Sequence, residues 1–149
     1  MNPIKGSTPV PGYISASEIE RINEPSDYLL TLFIEDDMKI TVGALGKTFF
    51  RKGTYIYTGS AKGGLRVRVK RHLGVPGKKR WHIDHLTSVT SEKSIWWKPH
   101  EDEGECRSAS ELAERYEAVP GFGCSDCRCG SHLFWAGEER RFLQDQVQE

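Results

Sequence analysis

Arg68 and His72 stand four residues apart, the spacing that puts two side chains on one face of a helix. A guanidinium there is a permanently charged planar fork, able to clamp a phosphate through two parallel hydrogen bonds. An imidazole one turn further on can orient a neighbouring hydroxyl or pass a proton, and at a helix end it can also simply complement the dipole. The stretch Glu101-Asp102-Glu103-Gly104-Glu105 offers hard carboxylate oxygens of the kind Mg²⁺ and Mn²⁺ prefer, with Glu105 one candidate among neighbouring acids. These groups suit attack of water on a phosphodiester. Such a reaction needs a water deprotonated and aimed, the charge on the five-coordinate phosphorus offset, and the leaving oxygen stabilised. One divalent metal can serve the last two needs, and a guanidinium placed where charge accumulates favours the transition state over the ground state.

Further side chains could do chemistry. Cys124, Cys127, Cys129 and His132 form a Cys-x-x-Cys-x-Cys-x-x-His run, and with Cys106 they are soft donors of the type that hold Zn²⁺. The spacing matches neither a zinc ribbon nor a finger, so packed or exposed thiols are the expectation and a structural zinc the alternative. His82, Asp84 and His85 cluster within four residues and are expected to support the cleft, touching phosphate or pairing with a helical arginine. Between Lys47 and Arg80 there are eleven Lys and Arg and no Asp or Glu, in a chain whose formal net charge is zero. Such a run is either a solvated face or a surface that tracks phosphates and loses its grip as salt rises. On the second reading Lys62, Arg66, Lys70, Arg71, Lys79 and Arg80 contact nucleic acid.

The elements that must position these groups read as an α+β domain: a small central, mostly antiparallel β-sheet flanked by helices. Tyr28–Ile34 and Gly53–Thr58 are dense in strand formers. Lys39–Val42 alternates and is expected to pair back on the first strand as a hairpin, with 43–50 a connecting loop. Leu65–Leu73 is a helix whose Leu65, Val69 and Leu73 face inward, ended by Gly74 and Pro76. A short helix is expected at His82–Val89, a strand at Lys93–Lys98 and a helix at Ser108–Glu117, with Ser108 as cap and Glu111 as its capping-box partner. A Gly- and Cys-rich loop at 120–130, a short strand at His132–Trp135 and a terminal amphipathic helix at Glu138–Val147 complete the domain, 28–149. Residues 1–27, interrupted by Pro3, Pro9, Pro11 and Pro25, read as an N-terminal arm with a short helix near 15–21.

At 149 residues the chain suits one domain with a core that needs no disulfide staples. No apolar run approaches the roughly 20 residues of a membrane span, so no membrane partner is expected. The first 17 residues lack the apolar stretch of a secretory signal. The cytoplasm is therefore the expected compartment, where disulfides are rare.

One segment is more specific. Tyr55-Ile-Tyr57-Thr-Gly59-Ser-Ala-Lys-Gly-Gly-Leu-Arg-Val-Arg68-Val-Lys-Arg-His72 resembles the second signature of the GIY-YIG nuclease superfamily, a strand ending in Tyr-x-Gly followed by a helix that presents Arg and His. Ser26-Asp27-Tyr28 stands where the first triplet belongs, with only the tyrosine retained and no Gly-Ile before it. Trp81-His82-Ile83-Asp84-His85-Leu86, Glu105-Cys106, and Phe122-Gly123 through Ser131-His132-Leu133 resemble a little-characterised branch of that superfamily, some of whose members are fused to a DNA-repair glycosylase of the endonuclease III type. The resemblance covers roughly Tyr28 to Trp135. It implies a GIY-YIG-like fold and a metal-dependent endonuclease acting on DNA, in repair, with Mg²⁺ or Mn²⁺ as cofactor and a repair glycosylase or another repair protein as partner. It implies Tyr28, Tyr57, Arg68 and His72 as catalytic residues and Glu105 as the metal-binding carboxylate. Tyr57 would be the base or a hydroxyl that orients the water, and Tyr28 would fix the hydroxyl network. Gly63-Gly64 lengthens the turn before the helix, which makes Arg66 a rival for Arg68; the relation to His72 favours Arg68. The alternative function is a non-catalytic nucleic-acid-binding module that keeps the same fold.

Overall fold

The computed structural model describes residues 12–73, 79, 81–90, 92–123 and 129–141, without the side chains at 16, 17, 71 and 73. Along them run β1 (Gly12–Ile14), α1 (Ala16–Ile19), β2 (Ser26–Ile34), β3 (Met38–Thr41), a turn of 3-10 helix (Gly43–Leu45), β4 (Lys47–Phe50) and β5 (Gly53–Ala61). Then follow α2 (Leu65–Leu73), α3 (His82–Thr87), β6 (Lys93–Pro99), α4 (Gly104–Ala113), β7 (Glu117–Ala118) and β8 (Leu133–Trp135). Six strands form one sheet in the order β1-β6-β2-β5-β8-β7, and every pairing in it is antiparallel. This is an α+β fold with a mostly antiparallel central sheet, as the strand and helix patterns predict. None of the helices among the described residues is long and apolar enough to cross a membrane.

The sheet is built on β2 and β5, which pair along their whole length. Directly opposed residues in an antiparallel pair share a face. Tyr28, Leu30 and Leu32 thus stand beside Gly59, Tyr57 and Tyr55 on one side of the sheet and beside Trp97, Ile95 and Lys93 on the other strand. On that face they join Leu65 and Val69 of α2, Ile83 and Leu86 of α3, and Phe122 in the core. The opposite face carries Asp27 and Thr58, which meet the first turn of α4.

Several local expectations change. Residues 38–41 do not pair back on β2, because β5 and β6 already occupy both of its edges. They pair instead with 47–50, expected as loop, in a separate two-stranded sheet. Gly43 and Gly46 adopt positive φ in the turn between them, a conformation that costs glycine little. The helix expected from Ser108 begins at Gly104 and ends at Ala113, so Ser108 lies inside it and is not its cap. α3 stops at Thr87, two residues before the expected end. Residues 138–141 are not helical. The Thr54 hydroxyl holds them, donating to Glu139 O at 2.6 Å and accepting from the Arg141 N–H at 2.9 Å. The rest of the expected terminal helix lies outside the described residues. From Gly12 onward the segment read as an arm is built into the domain: β1 pairs with β6, and Ile14, Ile19 and Ile22 are buried.

Candidate functional site

Tyr28 is the third residue of β2, and Tyr57 sits midway along β5, which runs on to Ala61 and does not end at the Tyr-x-Gly triplet. Both rings are buried beneath α2. The Tyr28 hydroxyl and His72 Nε2 are 2.6 Å apart, with His72 itself fully buried. Tyr57 packs edge-on against His72 and against Phe122, with ring centroids 6.1 Å and 6.3 Å away. His72 therefore orients Tyr28 directly and touches Tyr57 through ring contact. Burial pushes the Tyr28 phenol well above its ordinary range. The charge and hydrogen bond of Arg68 pull it back, and the carboxylates of Glu105 and Asp84 push it further up. Tyr57 is also raised well above that range, first by burial, then by Tyr28 and Glu105, against the charge of Arg68. Both phenols thus stay protonated at neutral pH and sense the same guanidinium and the same carboxylate. Arg68 lies over the indole of Trp81, its central carbon 4.4 Å from the ring centroid, a cation–π contact that helps to place the guanidinium.

Glu105 comes to this place through the first turn of α4. Asp27, only 2 % exposed, accepts hydrogen bonds from the Ser60 hydroxyl at 2.7 Å and from the Glu101 N–H at 3.0 Å, and its Oδ1 lies 2.8 Å from His100 Nδ1. A Cβ on Gly104 would stand 2.1 Å from Asp27 Oδ2, so only glycine lets the helix start there. The Thr58 hydroxyl donates to the Glu105 carbonyl at 3.3 Å. The Glu105 side chain reaches His132, with Oε2 2.7 Å from Nδ1. It also lines a cleft of about 280 Å³ together with Ser60, Lys62, Cys106, Gly123 and His132, among others.

The other side of the site is closed by 122–123 and α3. His82 Nδ1 accepts the Gly123 N–H at 2.9 Å, and its ring packs on Phe122 at 5.5 Å. Burial and the neighbouring His85 hold His82 below its ordinary pKa, so the ring is neutral and able to accept. Asp84 accepts the Trp81 N–H at 3.0 Å and so caps α3. Gly123 has φ +72, and a Cβ there would lie 3.1 Å from the Tyr57 ring. Near the cleft, a second kind of donor gathers: Cys106, Cys129 and His132 offer ligand atoms within 4.8 Å of one another.

Residues 27–149 match the model of a family described as Domain of unknown function DUF123. The chain belongs to the DUF123 family. The matched span begins at the aspartate that fixes α4. No curated protein and no solved structure matches the chain.

In this DUF123 chain, Tyr28, Tyr57, Arg68, His72 and Glu105 come together in space. His82 and Asp84 support the wall beside them, while His85 faces the turn at Gly43. Of the basic residues, Lys62 lines the cleft, and Arg66 and Lys79 are exposed. Lys70 is tied to Glu20 by an ion pair of 3.2 Å on the surface. The Arg71 side chain, Arg80, Cys124 and Cys127 lie outside the described residues. Asp27, His100 and Trp81 carry structural duties that spacing alone did not single out. A lone aspartate in an otherwise apolar strand is the signal that could have found Asp27, since strands are poor in aspartate unless it has a task.

Proposed function

We propose that this DUF123 domain is a metal-dependent phosphodiester hydrolase acting on DNA, of the GIY-YIG type. One observation carries the reading: Tyr28 of β2 and Tyr57 of β5 both pack on His72 of α2, one turn beyond Arg68, within reach of the charges of Arg68 and of Glu105 on α4. In this reading Arg68, held over Trp81, grips the scissile phosphate and meets the charge that grows on it. Tyr28 is locked by His72 and gives the pocket a fixed hydroxyl. Tyr57 is held protonated, which suits the task of aiming a water and not that of removing its proton. The Glu105 carboxylate turns one oxygen to His132 and opens on the cleft. A hard divalent cation asks for little more than one protein carboxylate with waters and substrate oxygens, so the donors present fit Mg²⁺ or Mn²⁺ held at Glu105. Bound there, such a cation supplies Lewis-acid polarisation of the phosphoryl oxygens. Lys62 and Arg66 would track the strand on either side, in a setting where a repair glycosylase is a natural companion.

The test is cleavage of flap, branched, nicked and abasic DNA with Mn²⁺ or Mg²⁺. Arg68→Ala should lower cleavage by about 100-fold or more, and Arg68→Lys, which keeps charge but loses the fork, should recover only part of it. Glu105→Gln should lose metal-dependent cleavage yet still bind DNA in a gel-shift measurement. Equal cleavage by wild type and Arg68→Ala would remove Arg68 from the mechanism. Binding without cleavage by the wild-type protein on every substrate would make the domain a nucleic-acid-binding module.

A further inference from the structure

The thiols beside Glu105 take no part in the hydrolysis just described. Cys106 stands in the first turn of α4, next in sequence to the carboxylate, and Cys129 stands four residues before the start of β8. Both are half-buried, and His132 is only 2 % exposed. Cys106 Sγ lies 4.0 Å from His132 Nε2, within a three-donor group spanning 4.8 Å at most. Zinc bonds of about 2.3 Å to sulfur and about 2.0 Å to nitrogen, at a tetrahedral angle, put sulfur and nitrogen about 3.6 Å apart. Closing the set on one ion brings the Cys106–His132 pair in by about 0.4 Å and the widest-spaced donors by about 1 Å.

The orientation of the ring gives a second, independent indication. His132 presents Nε2 to the Cys106 thiol at 4.0 Å, and its Nδ1 lies 2.7 Å from Glu105 Oε2 with the N–H off the line to the oxygen. A metal-bound imidazole usually gives its other N–H to a carboxylate, which fixes the tautomer, holds the ring in place and strengthens the donor nitrogen. A turn of the ring that aligned Nδ1–H with Glu105 would fix this tautomer and leave the Nε2 lone pair facing Cys106 Sγ.

We propose that Cys106, Cys129 and His132 bind one soft divalent cation of the zinc class, with Glu105 as the positioning residue for His132. Binding converts both thiols to thiolates and expels their two protons, so the ion and its donors form a neutral set. Cys106 and His132 also line the 280 Å³ cleft, so the site borders the place where the hydrolase reading puts its substrate. Glu105 then has two duties, one oxygen towards the imidazole and the other towards the cleft.

The experiment uses the full chain, purified under reducing conditions, with zinc measured by elemental mass spectrometry and Co²⁺ as a spectroscopic probe. About one zinc per chain is expected, with a thiolate-to-cobalt charge-transfer band on Co²⁺ loading. Cys106→Ser and Cys129→Ser should each lose the band and the stoichiometric zinc. Glu105→Gln should keep the metal but bind it about 10- to 100-fold more weakly against a competing chelator. Should one cysteine variant fail to fold, the other variant and Glu105→Gln carry the test. Zinc and cobalt binding that is absent, or that survives both cysteine substitutions, overturns the assignment, as does a persistent Cys106–Cys129 disulfide under reducing conditions. The result is separable from catalysis. A zinc-free protein that still cleaves DNA with Mg²⁺ or Mn²⁺ sinks only this site, and a zinc-bearing protein without cleavage sinks only the hydrolase reading.

Discussion

At position 59 the lack of a side chain makes room for the site. A Cβ there would stand 2.6 Å from the Tyr28 hydroxyl and 2.7 Å from the carbon that bears it. Gly59→Ala should push the buried phenol away from His72 and destabilise the protein by about 1–3 kcal/mol, read as a lowered urea midpoint at constant slope. An unmoved midpoint would mean that the ring has somewhere else to go. His82 makes a pH prediction. Its folded pKa lies below the unfolded value, so the unfolded chain binds the proton first. Its contribution to stability is present above about pH 6.5 and is lost as pH falls through the lower folded value. His82→Gln should flatten the acid limb of the melting temperature against pH; an unchanged limb would assign it to other groups. Residue-scale chemistry was legible where it was local. The four-residue interval from Arg68 to His72 is a property of one helix, whereas the partners of Asp27 are 33 and more residues away, and no local pattern announces them.

Among the elements, α4 bears the most consequence, because its first turn delivers Glu105 and Cys106. Its start is set by tertiary contact and not by a local cap. Glu103 enters it with φ 57, uncommon for a residue with a side chain, and Gly104 rests on Asp27. This explains why the sequence pointed to Ser108: Ser-x-x-Glu satisfies the rule for a helix start wherever it occurs, even four residues inside one. Replacing Asp27 by alanine removes the acceptor for Ser60, Glu101 and His100. The loss should be roughly 2–3 kcal/mol, the scale of hydrogen bonds to a charged group, with α4 loosened before the sheet. Hydrogen exchange should locate the change at 101–107, and uniform exchange across the domain would contradict it. The long strands and α2 were legible because their apolar periods are strong. The β3–β4 pairing was not, since nothing in 38–41 says that both edges of β2 are already taken.

For the whole molecule, zero net charge conceals a basic tract on one stretch of chain. DNA binding, if it runs through that tract, should weaken steeply between 50 and 200 mM salt. Lys62→Ala and Arg66→Ala should each lower the slope of log affinity against log salt by about one. Lys70→Ala should lower it less, because its ammonium is shared with Glu20. A slope near zero would show that the tract is only a solvated face. The α+β class was readable from the alternation of strand-like and helix-like segments. The order β1-β6-β2-β5-β8-β7 was not, because it depends on which distant strands complete each other's hydrogen bonding.

That order has a consequence for company. The sheet ends in a rung of three residues at Gly12–Ile14 and one of two at Glu117–Ala118. Neither offers an incoming peptide the long row of open main-chain groups that strand addition requires. Along these two rungs, among the described residues, a guest must be recognised by side chains and not by main-chain pairing.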